Sequence, residues 1–300
     1  MLRMKAQKEE NQIMASLFDK LDQSFDIERA VKLRERQNTR KDICSFIEHT
    51  MSDDKGNPIK LSWIHRSWHR HIEYCFKHEK YAGILAPYAS GKTVAVVQPW
   101  PLFYLGHNKN ARIGIVSTDE RAAKDRVMVS KGVIEASPEY REIFPHVEPD
   151  KSKQWTAYSL FVKRDAGLPF KDPSIYGTGV LSKATGRRFD LLIFDDVVDF
   201  NNTIKEPGKM PTVRESIQNM WLTRIRNDGG MCIAIGTAWH KDDAMQQLVK
   251  SDKFCFLIQR VSKDLSYIEC EVTNHCGDYP IENITNFEEL RERELGRVLE

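Results

Sequence analysis

Four short and almost wholly apolar runs constrain what this chain can fold into: ARIGIVST (111–118), DLLIFDDV (190–197), GMCIAIGT (230–237) and FCFLIQRV (254–261). A strand with one wet face alternates apolar and polar residues. These runs do not, so they must be covered on both sides. The stretches between them read as helices: one from Ser117 or Thr118 as cap to about Ser137, one from Pro211 to about Asn227, and DDAMQQLVK (242–250). Strands buried on both faces and separated by helices require crossover connections. The expected fold class is therefore α/β, with a mostly parallel central sheet flanked by helices. YAGILA (81–86), SLFVKR (159–164) and SIYGTGV (174–180) add further strands, and the pattern weakens after Val261. A hydrophobic share of 41% in 300 residues is ample for such a core.

Open sheets of this kind bind ligands beyond the carboxyl ends of their strands. The first strand runs into APYASGKT (86–93), which is followed by a helical segment. Its end matches the phosphate-loop pattern of Gly, four residues, then Gly-Lys-Ser/Thr, with Ala86 in the first glycine position. That position asks for a small residue in a tight turn, and alanine meets the need. Ala86, Pro87, Tyr88, Ala89, Ser90, Gly91, Lys92 and Thr93 then form a candidate cradle for ATP, with backbone N–H groups turned toward phosphate oxygens. Lys92 would reach the outer phosphates, and the Thr93 hydroxyl would ligate Mg²⁺. Pro99 and Pro101 predict a shortened or kinked helix behind the loop.

The run DLLIFDD buries its apolar residues and ends in Asp195 and Asp196. Asp195 is placed to hold Mg²⁺, and Asp196 to act as general base on an attacking water. A third strand delivers Thr237 to the same edge, where its hydroxyl would sense the γ-phosphate; Asp242 is the expected cap of the helix that follows. The segment LSWIHRSWHRHIEYC (61–75) reads as a helix before the nucleotide strand, with His65 and His69 as helix surface and core, and it is a candidate border of the adenine.

Lys and Arg total 45 against 43 acids, so the +2 net charge by itself predicts no polyanion. No apolar run approaches the ~20 residues that a membrane span needs. The six cysteines are scattered without paired spacing, as expected of free thiols.

From about Cys44 to Asp252 the chain resembles the ATPase half of the large terminase subunit of tailed double-stranded DNA phages. The resemblance is carried by SFIEHT, APYASGKT, VSTDERAAKDR, SPEYREIFP, ATGRRFDLLIFDDVVD, VRESIQNMWLTRIRNDGG and GTAWHKDD, in that order. It implies a phosphate-loop NTPase fold and a motor that hydrolyses ATP to drive double-stranded DNA into a capsid in the host cytoplasm. The implied partners are that DNA, the portal protein, the small terminase subunit and further copies of the chain in a ring when active, with a monomer expected of the isolated chain. No membrane is implied. Many relatives carry an arginine at the loop position of Ala89. The nearest substitutes are Arg187 and Arg188, in a neighbourhood from which other members act on a neighbour's ATP. Without the family, the pair reads as a solvated turn or a DNA phosphate contact.

The expected organisation is a helical N-terminal extension over 1–58, an ATPase core over 59–262, and a C-terminal segment over 263–300 leading to a nuclease domain that these 300 residues do not include. Nuclease activity is accordingly not expected of them. Alternatives to the motor are a helicase-like translocase or a nucleotide-regulated scaffold with little turnover. Trp and Arg side chains within 214–226, or the loop at 199–210, are the candidate DNA contacts.

Overall fold

The computed structural model describes residues 31–165, 171–182, 186–261, 268–277 and 279. The expectations for the extreme N-terminal helix and for 280–300 lie outside these residues. Eight strands form one sheet: β1 (Tyr81–Leu85), β2 (Ile113–Ser117), β3 (Ser159–Leu160), β4 (Ile175–Gly179), β5 (Leu191–Asp195), β6 (Met231–Gly236), β7 (Phe254–Val261) and β8 (Ile268–Thr273). Their spatial order is β3-β4-β2-β5-β6-β1-β7-β8. All pairings from β4 across to β7 are parallel, and only the edge strands β3 and β8 run antiparallel. This is the doubly covered α/β sheet that the apolar runs predict.

The helices used below are α1 (Ile43–Thr50), α2 (Trp63–Lys77), α3 (Pro99–His107), α4 (Glu120–Ala136), α5 (Pro138–Ile143), α6 (Met210–Glu215) and α7 (Ala244–Val249). Side chains alternate across a strand, and β5 shows the consequence. Leu191 and Ile193 join the core that holds Ile43, Phe46 and Trp68, while Leu192 and Phe194 join the core around Trp221, Met245 and Phe256. Burying both faces pins the register of β5 and fixes where its terminal carboxylates emerge. Among the described residues no helix is long and apolar enough to cross a membrane.

Several local expectations need correction. Of SLFVKR only Ser159–Leu160 is strand. The rest of that segment turns its hydrogen bonds elsewhere: Asp150 N–H donates to the Phe161 carbonyl, Lys163 N–H to Glu148, and Val162 N–H to the Ser174 hydroxyl. Strand β8 is additional; its alternating Ile268, Cys270 and Val272 suit an edge strand, a weaker signal than a buried run. The α4 cap is Asp119, which accepts from Ala122 N–H at 2.8 Å, because Ser117 still belongs to β2. The α7 cap is Asp243 rather than Asp242; its carboxylate accepts from the backbone N–H groups of Gln246, Trp239 and His240.

The helix expected from Pro211 to Asn227 is broken. After α6 the turn widens into a π-helical segment, Ser216–Trp221, and tightens again over Leu222–Arg224. The widening seats Trp221 fully in the core, its indole N–H donating to the Val180 carbonyl at 2.8 Å. Trp221 is therefore no DNA contact. The residues after the phosphate loop form a π-helical turn, Thr93–Val97, closed by Gln98 N–H on the Thr93 carbonyl at 3.0 Å. Regular helix restarts at Pro99, so both prolines fall in a first turn, where no N–H is missed.

Candidate nucleotide site

Strands β1 and β5 are not neighbours; β6 lies between them, and all three are parallel. Their carboxyl ends thus share one edge, with adjacent strands about 4.8 Å apart. The loop Ala86–Thr93 leaves β1, Thr237 follows β6, and Asp195 and Asp196 close β5. Three chain segments that are remote in sequence are brought to one place by the sheet order alone.

The loop is stitched to β6 by Ala86 N–H, which donates to the Gly236 carbonyl at 3.1 Å. Two left-handed residues make its turn, Ala89 at φ 58° and Gly91 at φ 77°. An alanine there is uncommon and strained. The Ser90 hydroxyl donates to the Pro87 carbonyl at 2.7 Å, and His65 Nε2 lies 3.0 Å from the Ser90 carbonyl oxygen. The ring of His65 thus braces the loop from α2 rather than lying on the helix surface. A Cβ added to Gly91 would stand 3.3 Å from that ring nitrogen. Tyr88 is exposed at the loop tip.

Lys92 is buried, and its ammonium folds back on the loop. It donates to the Pro87 carbonyl at 2.7 Å, to Thr237 Oγ1 at 3.0 Å and to the Ala86 carbonyl at 3.4 Å. Burial lowers the Lys92 pKa, against the pull of Asp196 and Asp195. Thr93 Oγ1 donates to Asp195 Oδ1 at 3.2 Å, and Arg126 Nε donates to Asp195 Oδ2 at 2.7 Å. Burial pushes the Asp195 pKa up, opposed first by Arg126.

Asp196 sits at φ 45°, a strained conformation for a non-glycine residue at the end of a strand. Burial and the neighbouring Asp195 push its carboxyl up to about 6. Its Oδ1 is buried without a hydrogen-bond partner among the described residues. Thr93 Oγ1 and Asp195 Oδ1, 3.2 Å apart, are oxygen donors of the kind hard divalent cations take, and the orphaned Asp196 oxygen stands on the next residue. The residues present therefore fit Mg²⁺.

Arg187 and Arg188 are not brought to this site. The Arg187 guanidinium lies 4.0 Å from the centre of the Tyr176 ring, and Arg188 donates to the Thr223 carbonyl. Both precede β5, at the opposite end of the sheet, where Arg188 lines an open cavity with Arg112 and Arg226. The residue that sequence reasoning missed is Arg126. It stands on α4 beside the buried stripe of Ala123, Val127 and Ser130. An arginine flanking an apolar stripe, on the helix that follows a central strand, was the available signal.

No family model matches the chain, and no curated protein matches it in sequence. Among solved structures it is similar to the HK97 bacteriophage large terminase, at 16% identity and a TM-score of 0.50. The fold is terminase-like. The likeness covers 75% of this chain and 44% of that one, so the chain spans less than half the length of its structural neighbour. At that identity the likeness speaks for the fold, and the site stands on its own geometry.

Proposed function

We propose that this chain is the ATPase motor domain of a phage large terminase, hydrolysing ATP with Mg²⁺ to drive double-stranded DNA into a capsid. One observation carries the reading. Lys92, Thr93, Thr237, Asp195 and Asp196 converge at the carboxyl ends of three consecutive parallel strands, with Thr93 already on Asp195 and Lys92 already on Thr237.

On this reading Lys92 exchanges its loop carbonyls for the outer phosphate oxygens, to which it brings a full charge. Thr93 and Asp195 hold the metal ion. When bound there, Mg²⁺ would supply positive charge against the charge that develops on the phosphate oxygens. Asp196 takes a proton from the attacking water through its unpartnered oxygen, as the bond between the γ-phosphorus and its bridging oxygen breaks. Thr237 loses its Lys92 contact when Lys92 turns to phosphate, which gives β6 a means of reporting occupancy. Arg187 and Arg188, remote from the site of their own chain, remain available to a neighbouring subunit's ATP or to DNA. The partners proposed with this role are double-stranded DNA, the portal protein, the small terminase subunit and further copies of the chain.

Steady-state phosphate release from ATP, with and without double-stranded DNA, tests the reading. It predicts Mg²⁺-dependent release that rises with DNA. Nucleotide binding without release would replace the motor with a nucleotide-regulated scaffold.

A further inference from the structure

The strand order leaves one charge unexplained. Asp195 is wholly buried and meets Arg126 through Nε alone, at 2.7 Å. A guanidinium carries five N–H donors in a rigid fork, yet no Nη group of Arg126 has a hydrogen bond among the described residues. A counter-ion kept only to neutralise a carboxylate gains most from the two-pronged contact that a guanidinium offers. Here a single prong is used and the other donors are kept. The side chain is 23% exposed and its Nη atoms are not among the buried unpartnered ones, so these donors stay open to a ligand that meets Asp195. The Arg126 charge also acts on Asp196. The loop itself brings no guanidinium, since residues 86–93 contain no arginine.

We infer that Arg126 is the in-chain arginine of this site, gripping Asp195 through Nε and presenting its Nη groups to the terminal phosphate of ATP. The inference rests on the reading of the site as an ATP site. It adds a contact that distinguishes a triphosphate from a diphosphate before any chemistry occurs. It also separates two functions: Arg126 serves the subunit's own nucleotide, whereas Arg187 and Arg188 serve whatever lies at the far end of the sheet.

The test is calorimetric titration of the whole chain with ATP and with ADP, both in EDTA, so that the readout depends on neither metal nor turnover. Wild type, Arg126→Ala and Arg126→Lys are compared after urea melts establish which are folded. Arg126→Ala should lose about tenfold or more of its ATP affinity, the scale of one charge-assisted hydrogen bond, with ADP affinity unchanged. Arg126→Lys keeps the charge but not the fork, so it should fall between the two, and it carries the test if the alanine variant does not fold. Equal weakening of ATP and ADP would reduce Arg126 to a structural counter-ion and overturn the inference. So would an unchanged preference for ATP. A wild-type chain that binds neither nucleotide would overturn the proposed function as well.

Discussion

Acid should unfold this protein through two buried histidines of α2, His69 and His71, and the size of the effect follows from their burial. His71 is fully buried, with Nε2–H donating to the Cys255 carbonyl at 3.1 Å and Nδ1 2.7 Å from the Tyr279 hydroxyl. His69 accepts from the Trp100 indole N–H at 3.2 Å, which ties α2 to the helix behind the loop. Burial lowers the His69 pKa to about 3 and the His71 pKa to about 4. In the unfolded chain both return to about 6.5. Between pH 6.5 and 4 the unfolded state therefore binds more protons, and stability falls as the pH falls. From pH 7.5 to 5 each ring loses roughly 1.5 pH units of linkage, about 2 kcal/mol, hence about 4 kcal/mol for the pair. That is a large part of a typical total of 5–15 kcal/mol. Asp196, pushed up to about 6, acts in the opposite sense, because its folded form takes a proton first. Urea unfolding at pH 7.5 and pH 5 of wild type and His71→Gln isolates the histidine contribution. The variant should lose about 2 kcal/mol less than wild type over that interval, whatever its stability at pH 7.5. Equal losses in the two proteins would refute the argument.

Lys92→Ala should abolish ATP hydrolysis and weaken ATP binding, because no other described ammonium reaches the loop; wild-type turnover would show the loop to be decorative. Gly91→Ala forces a left-handed alanine against His65, which costs about 1–2 kcal/mol, and should reduce ATP affinity in a binding titration. Unchanged affinity would mean that the loop turn does not depend on φ at this residue. If Arg187 or Arg188 acts on a neighbour's ATP, specific activity should rise with protein concentration, and Arg188→Ala should remove the rise while leaving the dilute rate intact. Arginines supplied in trans are worth roughly 10³- to 10⁵-fold where they operate; activity per molecule that stays flat with concentration would leave the pair as a turn or a DNA contact.

The sheet was legible because burial on both faces writes an unambiguous pattern: β2, β5, β6 and β7 are runs that nothing else accommodates. β8 escaped because an edge strand needs only alternate apolar residues, and Ile268, Cys270 and Val272 are a faint signal among charges. The broken helix after Met210 could not be read from periodicity, since a π-helical turn shifts the face of every residue that follows it. That shift is what buries Trp221, a residue that composition alone offers equally to DNA. The grouping of Lys92, Thr93, Asp195 and Asp196 was readable because each leaves the end of a strand, and parallel strands share an end. Thr237 joined them for the same reason, through the insertion of β6 between β1 and β5. Arg126 was not found because it comes from the middle of a helix, and only the placement of β2 beside β5 brings that helix over Asp195. Arg187 and Arg188, read from the sequence as acting on a neighbour's ATP or as a turn or DNA contact, lie away from the chain's own site for the converse reason. Nearness to Asp195 in sequence is distance along an extended strand, which carries them to the other end of the sheet.

The central claim is that Asp196 is the proton acceptor in an ATP-hydrolysing site. Its most direct test is Asp196→Asn, a substitution that keeps shape and removes the base, with phosphate release and ATP binding measured on the same preparation. The account predicts ATP binding close to wild type and turnover reduced by about 10²-fold or more. A variant that binds ATP and hydrolyses it at the wild-type rate would contradict the account.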